Sequence, residues 1–79
     1  MGREYIKLKA TNSMMIRILK SICDSKDPLV SNEDKNKAKE FVNNQDSKVL
    51  FKAIVDIGIN TKSSLLKSIC DLDRYYVLE

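Results

Sequence analysis

Histidine is missing from all 79 residues. Its absence removes the Ser-His and Cys-His pairs that activate nucleophiles. A structural zinc takes about four Cys or His ligands, and a monomer here offers only Cys23 and Cys70. Glycine is nearly absent as well. Gly2 and Gly58 stand alone, so no glycine-rich phosphate loop exists. With Pro28 as the single proline, that scarcity argues against an all-β fold with many tight turns. No apolar run approaches the length of a membrane span, and the N-terminal stretch is too polar for a signal peptide. Carboxylates such as Glu33, Asp34 and Glu40 fall on a solvated helix, where they serve capping and solubility. The expectation is therefore no enzyme, no cofactor, no metal and no membrane contact.

What is present is globular. Hydrophobic residues make up 43% of the chain and charged residues 32%, a balance that disordered chains lack. Residues 1–79 make one small domain. A core of this size rarely supplies more than about 3–5 kcal/mol of net stability. Homodimerisation, or folding completed on a partner, is therefore open from the start. Both cysteines sit at apolar positions of helical patterns, which points to reduced, buried thiols and a cytoplasmic setting; a Cys23–Cys70 disulfide is the alternative.

Net charge is +3 and unevenly spread. Residues 1–20 hold Arg3, Lys7, Lys9, Arg17 and Lys20 against Glu4. Residues 47–70 hold Lys48, Lys52, Lys62 and Lys67 against Asp56, and residues 31–46 are near balance. The two basic regions form either one positive face or an ordinary solvated surface.

The periodicity predicts a mainly α domain of about four helices with short terminal strands. Ile6, Leu8 and Ala10 alternate with polar neighbours, as in a half-buried strand over 4–10. Thr11, Asn12 or Ser13 caps a helix with Met15, Ile18, Leu19 and Ile22 on one stripe, ending near Asp24–Ser25 before the break at Asp27-Pro28. Ser31 and Asp34 have capping-box spacing and open a second helix, with Ala38, Phe41 and Val42 apolar. Asp46 or Ser47 caps a third over about 47–57, the most apolar of the set, with Gly58 as a left-handed C-cap. Asn60 or Thr61 caps a fourth over about 61–72, with Leu65, Leu66, Ile69, Cys70 and Leu72 inside. Arg74 to Leu78 reads as a strand, with Tyr75 and Tyr76 on opposite faces, and the strand at 4–10 is its available partner. Leu-Lys-Ser-Ile-Cys-Asp occurs twice, at 19–24 and 66–71, by chance convergence or by an old duplication of a helical unit.

Buried helix, glycine-containing turn, amphipathic helix and strand follow one another from Val49 to the C-terminus. Ala53 is small, Gly58 falls at the turn and Ile59 can plug the corner, which are the parts of a helix-turn-helix. Residues 59–79, Ile-Asn-Thr-Lys-Ser-Ser-Leu-Leu-Lys-Ser-Ile-Cys-Asp-Leu-Asp-Arg-Tyr-Tyr-Val-Leu-Glu, resemble the recognition helix and first wing strand of winged helix-turn-helix DNA-binding domains. The likeness covers about the last thirty residues. It implies a small DNA-binding regulator, acting as a dimer on double-stranded DNA. Asn60, Thr61, Ser63, Ser64, Lys67 and Ser68 would then face the major groove, and Lys48, Lys52, Lys62 and Arg74 would contact phosphates. The other reading of the same residues is a helical protein-interaction module, an inhibitor or adaptor that docks on a larger protein and has no nucleic-acid role.

Overall fold

The structure, a computed structural model, describes residues 8–78. Mainly helical architecture with short terminal strands is what it shows. The order is β1 (Leu8–Lys9), α1 (Asn12–Cys23), α2 (Asn32–Phe41), α3 (Ser47–Asn60), α4 (Ser64–Ile69), a single turn α5 (Leu72–Tyr75) and β2 (Tyr76–Val77). The part of the expected N-terminal strand at residues 4–7 lies outside the described residues.

Each long helix starts where a side chain can accept a free backbone N–H. Thr11 Oγ1 accepts from the Met14 N–H at 3.2 Å. Ser31 and Asp34 form the reciprocal capping box, at 3.2 and 3.1 Å. Asp46 Oδ1 accepts from the Lys48 N–H at 3.0 Å. Asn12 ties two helix starts together: its amide donates to the Gln45 carbonyl at 2.9 Å and its oxygen accepts from the Ser47 hydroxyl.

One core results. Met15, Leu19 and Ile22 of α1 meet Ala38 of α2 and Leu50, Ile54 and Ile57 of α3, with Leu66, Cys70 and Leu72 closing the C-terminal side. Burying a side chain such as Leu or Ile fully contributes about 1.5–3 kcal/mol relative to exposure. The terminal strands do pair, in parallel, with Leu8 opposite Tyr76 and Lys9 opposite Val77. The Ala10 N–H extends the ladder to the Val77 carbonyl at 2.9 Å. Among the described residues, no buried side-chain polar atom lacks a hydrogen-bond partner.

Expectations about the C-terminal half are corrected, the strand over Arg74–Leu78 among them: Leu72–Tyr75 form a helical turn and only Tyr76–Val77 are strand. Gly58 is not a left-handed cap. α3 runs on to Asn60, no glycine among the described residues has positive φ, and the helix ends at Thr61 in extended backbone. What Gly58 provides is space: a Cβ there would lie 2.8 Å from Cys70 Cβ, so α4 can approach α3 only over a bare backbone. Nor is there one helix over 61–72. α4 has six residues and stops at Cys70; the Leu72 N–H then donates to the Cys70 carbonyl at 2.8 Å around Asp71, whose φ of −81° and ψ of 63° make an inverse γ-turn. Helical geometry explains the break. Leu66 and Cys70 are buried at i and i+4, and a continuous helix would next bring Asp73 and Arg74 to the core face and turn Leu72 outward. The turn at Asp71 instead brings Leu72 inside, where it is fully buried.

Both cysteines are free. Cys70 is buried as expected, while Cys23 is half-buried and donates weakly to the Lys35 carbonyl at 3.9 Å. Burial pushes the Cys70 thiol up to about 12, and the nearby Asp34 carboxylate adds to the rise. An alkylating reagent at pH 8 should therefore modify Cys23 first, with Cys70 reacting only on unfolding; mass spectrometry of timed aliquots reads the order. Gly58→Ala should destabilise the fold by about 1 kcal/mol, because overpacking outweighs the gain in helix propensity. The urea midpoint reports the sign.

Candidate interaction groove between α1 and α4

The three-residue link from α3 to α4 is built by two hydroxyls. Thr61 and Ser63 are both buried. Thr61 Oγ1 accepts from the Ser63 N–H at 3.2 Å, and Ser63 Oγ accepts from the Leu66 N–H at 3.2 Å, so Ser63 is the N-cap of α4. The same Ser63 hydroxyl donates to Asp27 Oδ2 at 2.8 Å. Asp27 in turn holds the loop after α1, accepting from the Leu29 N–H at 2.9 Å on its other oxygen. The start of α4 is thereby pinned to the end of α1. Both hydrogen bonds hold the Asp27 carboxyl below the ordinary aspartate value, the Leu29 N–H more than the Ser63 hydroxyl.

Pinned there and turned toward α3 by Gly58, α4 leaves a gap to α1. Leu65, 66% exposed, and Ile69, 43% exposed, form its ridge on the near side, although both belong to the apolar stripe expected inside. Across the gap stand Met14 and Ile18 of α1, both half-buried. The result is one groove in two stretches that share Ile18 and Ile69. The wider, of about 530 Å³, opens toward Leu8, Asp71, Tyr75 and Tyr76. The narrower, of about 180 Å³, ends at the Asp27–Ser63 pin. The duplicated hexapeptide supplies part of both walls, yet buries different edges: both Ile22 and its counterpart Ile69 line the narrow stretch, but Ile22 is buried and Ile69 is exposed.

The residues singled out for DNA are dispersed by this geometry. Thr61 and Ser63 are inside and committed to the turn, so neither is presented to a ligand. Asn60 is the last residue of α3, exposed, with its amide bonded back to the Asp56 carbonyl at 2.9 Å. Lys48 and Lys52 are exposed on the outer stripe of α3. Lys62, Ser64, Lys67 and Ser68 are exposed around α4, but Lys67 shares its hollow with Asp71 and Asp73. Arg74 is exposed and lies 6.0 Å from the Tyr75 ring centroid, a weak cation–π contact.

Sequence reading missed Asp27, Leu65 and Ile69 as surface determinants. A usable signal was present: Leu65, Leu66, Ile69, Cys70 and Leu72 are more apolar positions than one short helix can turn inward. Among the described residues no group of His, Cys, Asp or Glu could hold a metal ion, and no helix is long and apolar enough to cross a membrane. Comparisons with protein-family models, curated proteins and solved structures found no match to this chain.

Ser63→Ala removes the cap and the pin together and should cost about 0.5–2 kcal/mol of stability, the usual range for losing an N-cap. Because the folded Asp27 pKa is lowered, its contribution is present above an ordinary value of 3.8 and is lost as pH falls through the lower folded value. An NMR titration should find Asp27 titrating higher in Ser63→Ala than in the parent, yet still below 3.8 because the Leu29 N–H remains.

Proposed function

We propose that this chain is a protein-interaction module that seats an apolar segment of a protein partner between α1 and α4, in the cytoplasm, where its two free thiols stay reduced. The observation that carries this reading is the exposed ridge of Leu65 and Ile69 facing Met14 and Ile18 across an open groove. Contiguous exposed apolar surface with a polar rim marks interaction sites, whereas single exposed apolar residues such as Leu29 mark nothing. Two parallel ridges suit an amphipathic helix laid along the groove with side chains at i, i+3, i+4 and i+7.

A DNA-binding regulator of winged helix-turn-helix type is the second reading. It draws on the exposed Lys62 in the three-residue turn after α3 and on the exposed Ser64, Lys67 and Ser68 of α4. Against it stand the short α4, the acidic neighbours of Lys67 and the internal use of Thr61 and Ser63.

Photo-crosslinking separates the two. A benzophenone amino acid replacing Ser68, at the groove, should give protein adducts in cell extract, and one replacing Lys48, on the outer stripe of α3, should not. Mixed-sequence duplex DNA should bind no better than about 100 μM at moderate salt, the weak end of non-specific binding. Submicromolar DNA binding that falls with salt and is lost in Lys67→Ala would reverse the order of the two readings.

A further inference from the structure

The α4 side of the groove carries a carboxylate, and the facing rim of α1 carries a guanidinium. Asp71 lines the α4 side. It occupies the N-cap position of α5 yet makes no cap hydrogen bond with its side chain, so its carboxylate is not used in holding that turn. Arg17 is exposed on α1, and its carbonyl accepts from the groove-lining Ser21 hydroxyl at 3.0 Å. Helical spacing places Arg17 on the rim next to Met14 and Ser21.

A face with a cation on one wall and an anion on the other is complementary to itself under one kind of two-fold. Rotation about an axis along the groove lays α1 of each copy over α4 of the other. Arg17 then meets Asp71 twice, and the Leu65–Ile69 ridge of each copy packs on Met14 and Ile18 of its partner. An axis across the groove would oppose Arg17 to Arg17 and leave the carboxylates facing each other. A standard interface takes about 800 Å² from each partner, roughly a seventh of the 5843 Å² surface.

We infer that the occupant of the groove is a second copy of this chain, in an isologous dimer with the two-fold along the groove and reciprocal Arg17–Asp71 pairs. This inference rests on reading the groove as a protein-binding site.

Sedimentation velocity on the whole purified chain at about 10–200 μM tests it, bracketing the micromolar range of modest interfaces. The expected mass is twice the 9.0 kDa of one chain. Arg17→Asp and Asp71→Arg should each weaken the dimer about tenfold or more, since like charges then face each other. The double exchange should restore it. Ile69→Asp should give a monomer with unchanged far-UV circular dichroism. A parent protein that stays monomeric throughout, or a double exchange that fails to restore the dimer, overturns the inference. An apolar dye such as anilinonaphthalene sulfonate, added to any such monomer, tells the two failures apart. Dye binding that Ile69→Asp abolishes leaves the groove standing with a different protein in it. A monomer that binds no dye removes the groove reading as well.

Discussion

One hydroxyl sets the working geometry. Ser63 Oγ accepts the Leu66 N–H that starts α4 and donates to the Asp27 carboxylate that closes the loop after α1. It sits in a 1%-exposed position, where an unpaired hydroxyl would be costly. The bond spans 36 positions in sequence, so it joins two segments that no local propensity would bring together. Everything C-terminal to α3 takes its direction from that joint.

From that joint α4 is steered by two further constraints. Gly58 admits Cys70 against the backbone of α3, which draws the far end of α4 toward α3 and away from α1. The inverse γ-turn at Asp71 then re-aims the chain, so that Leu72 enters the core and the parallel pairing of β2 with β1 follows directly. The cost of this arrangement is an apolar ridge without cover. Leu65 and Ile69 face solvent because the Leu66–Cys70 edge of the same helix is the one in the core. A small protein keeps such a ridge exposed when something else is to cover it.

Much of the fold was legible in the sequence because it depends on local signals. The capping box at Ser31 and Asp34, the caps at Thr11 and Asp46, and the stripes of Met15, Leu19 and Ile22 in α1 and of Leu50, Ala53, Ile54 and Ile57 in α3 are all local patterns. The region from Gly58 to Leu72 was not. A lone glycine after an apolar run looks the same whether it ends a helix or clears room for another, and the difference lies in Cys70, 12 residues away. Ser63 outcompeted Asn60 and Thr61 as the cap because it gains Asp27 as a second partner, a contact no short window reveals. The candidate site suffered accordingly. Eight of the ten residues expected to contact DNA are at the surface, but Thr61 and Ser63 are inside, and the ridge that shapes the groove has the apolar spacing of a core stripe.

We propose the gap between α1 and α4 as the surface this protein works with. Methyl-resolved NMR spectra of the ¹³C-labelled chain, recorded from high to low concentration and then with cell extract added, address it directly. Shifts confined to Met14, Ile18, Leu65 and Ile69 are expected, with Leu50, Ile54 and Ile57 of the core unmoved. Constant groove methyls under both treatments, or shifts centred instead on Val49 and Val55 of α3, would contradict it.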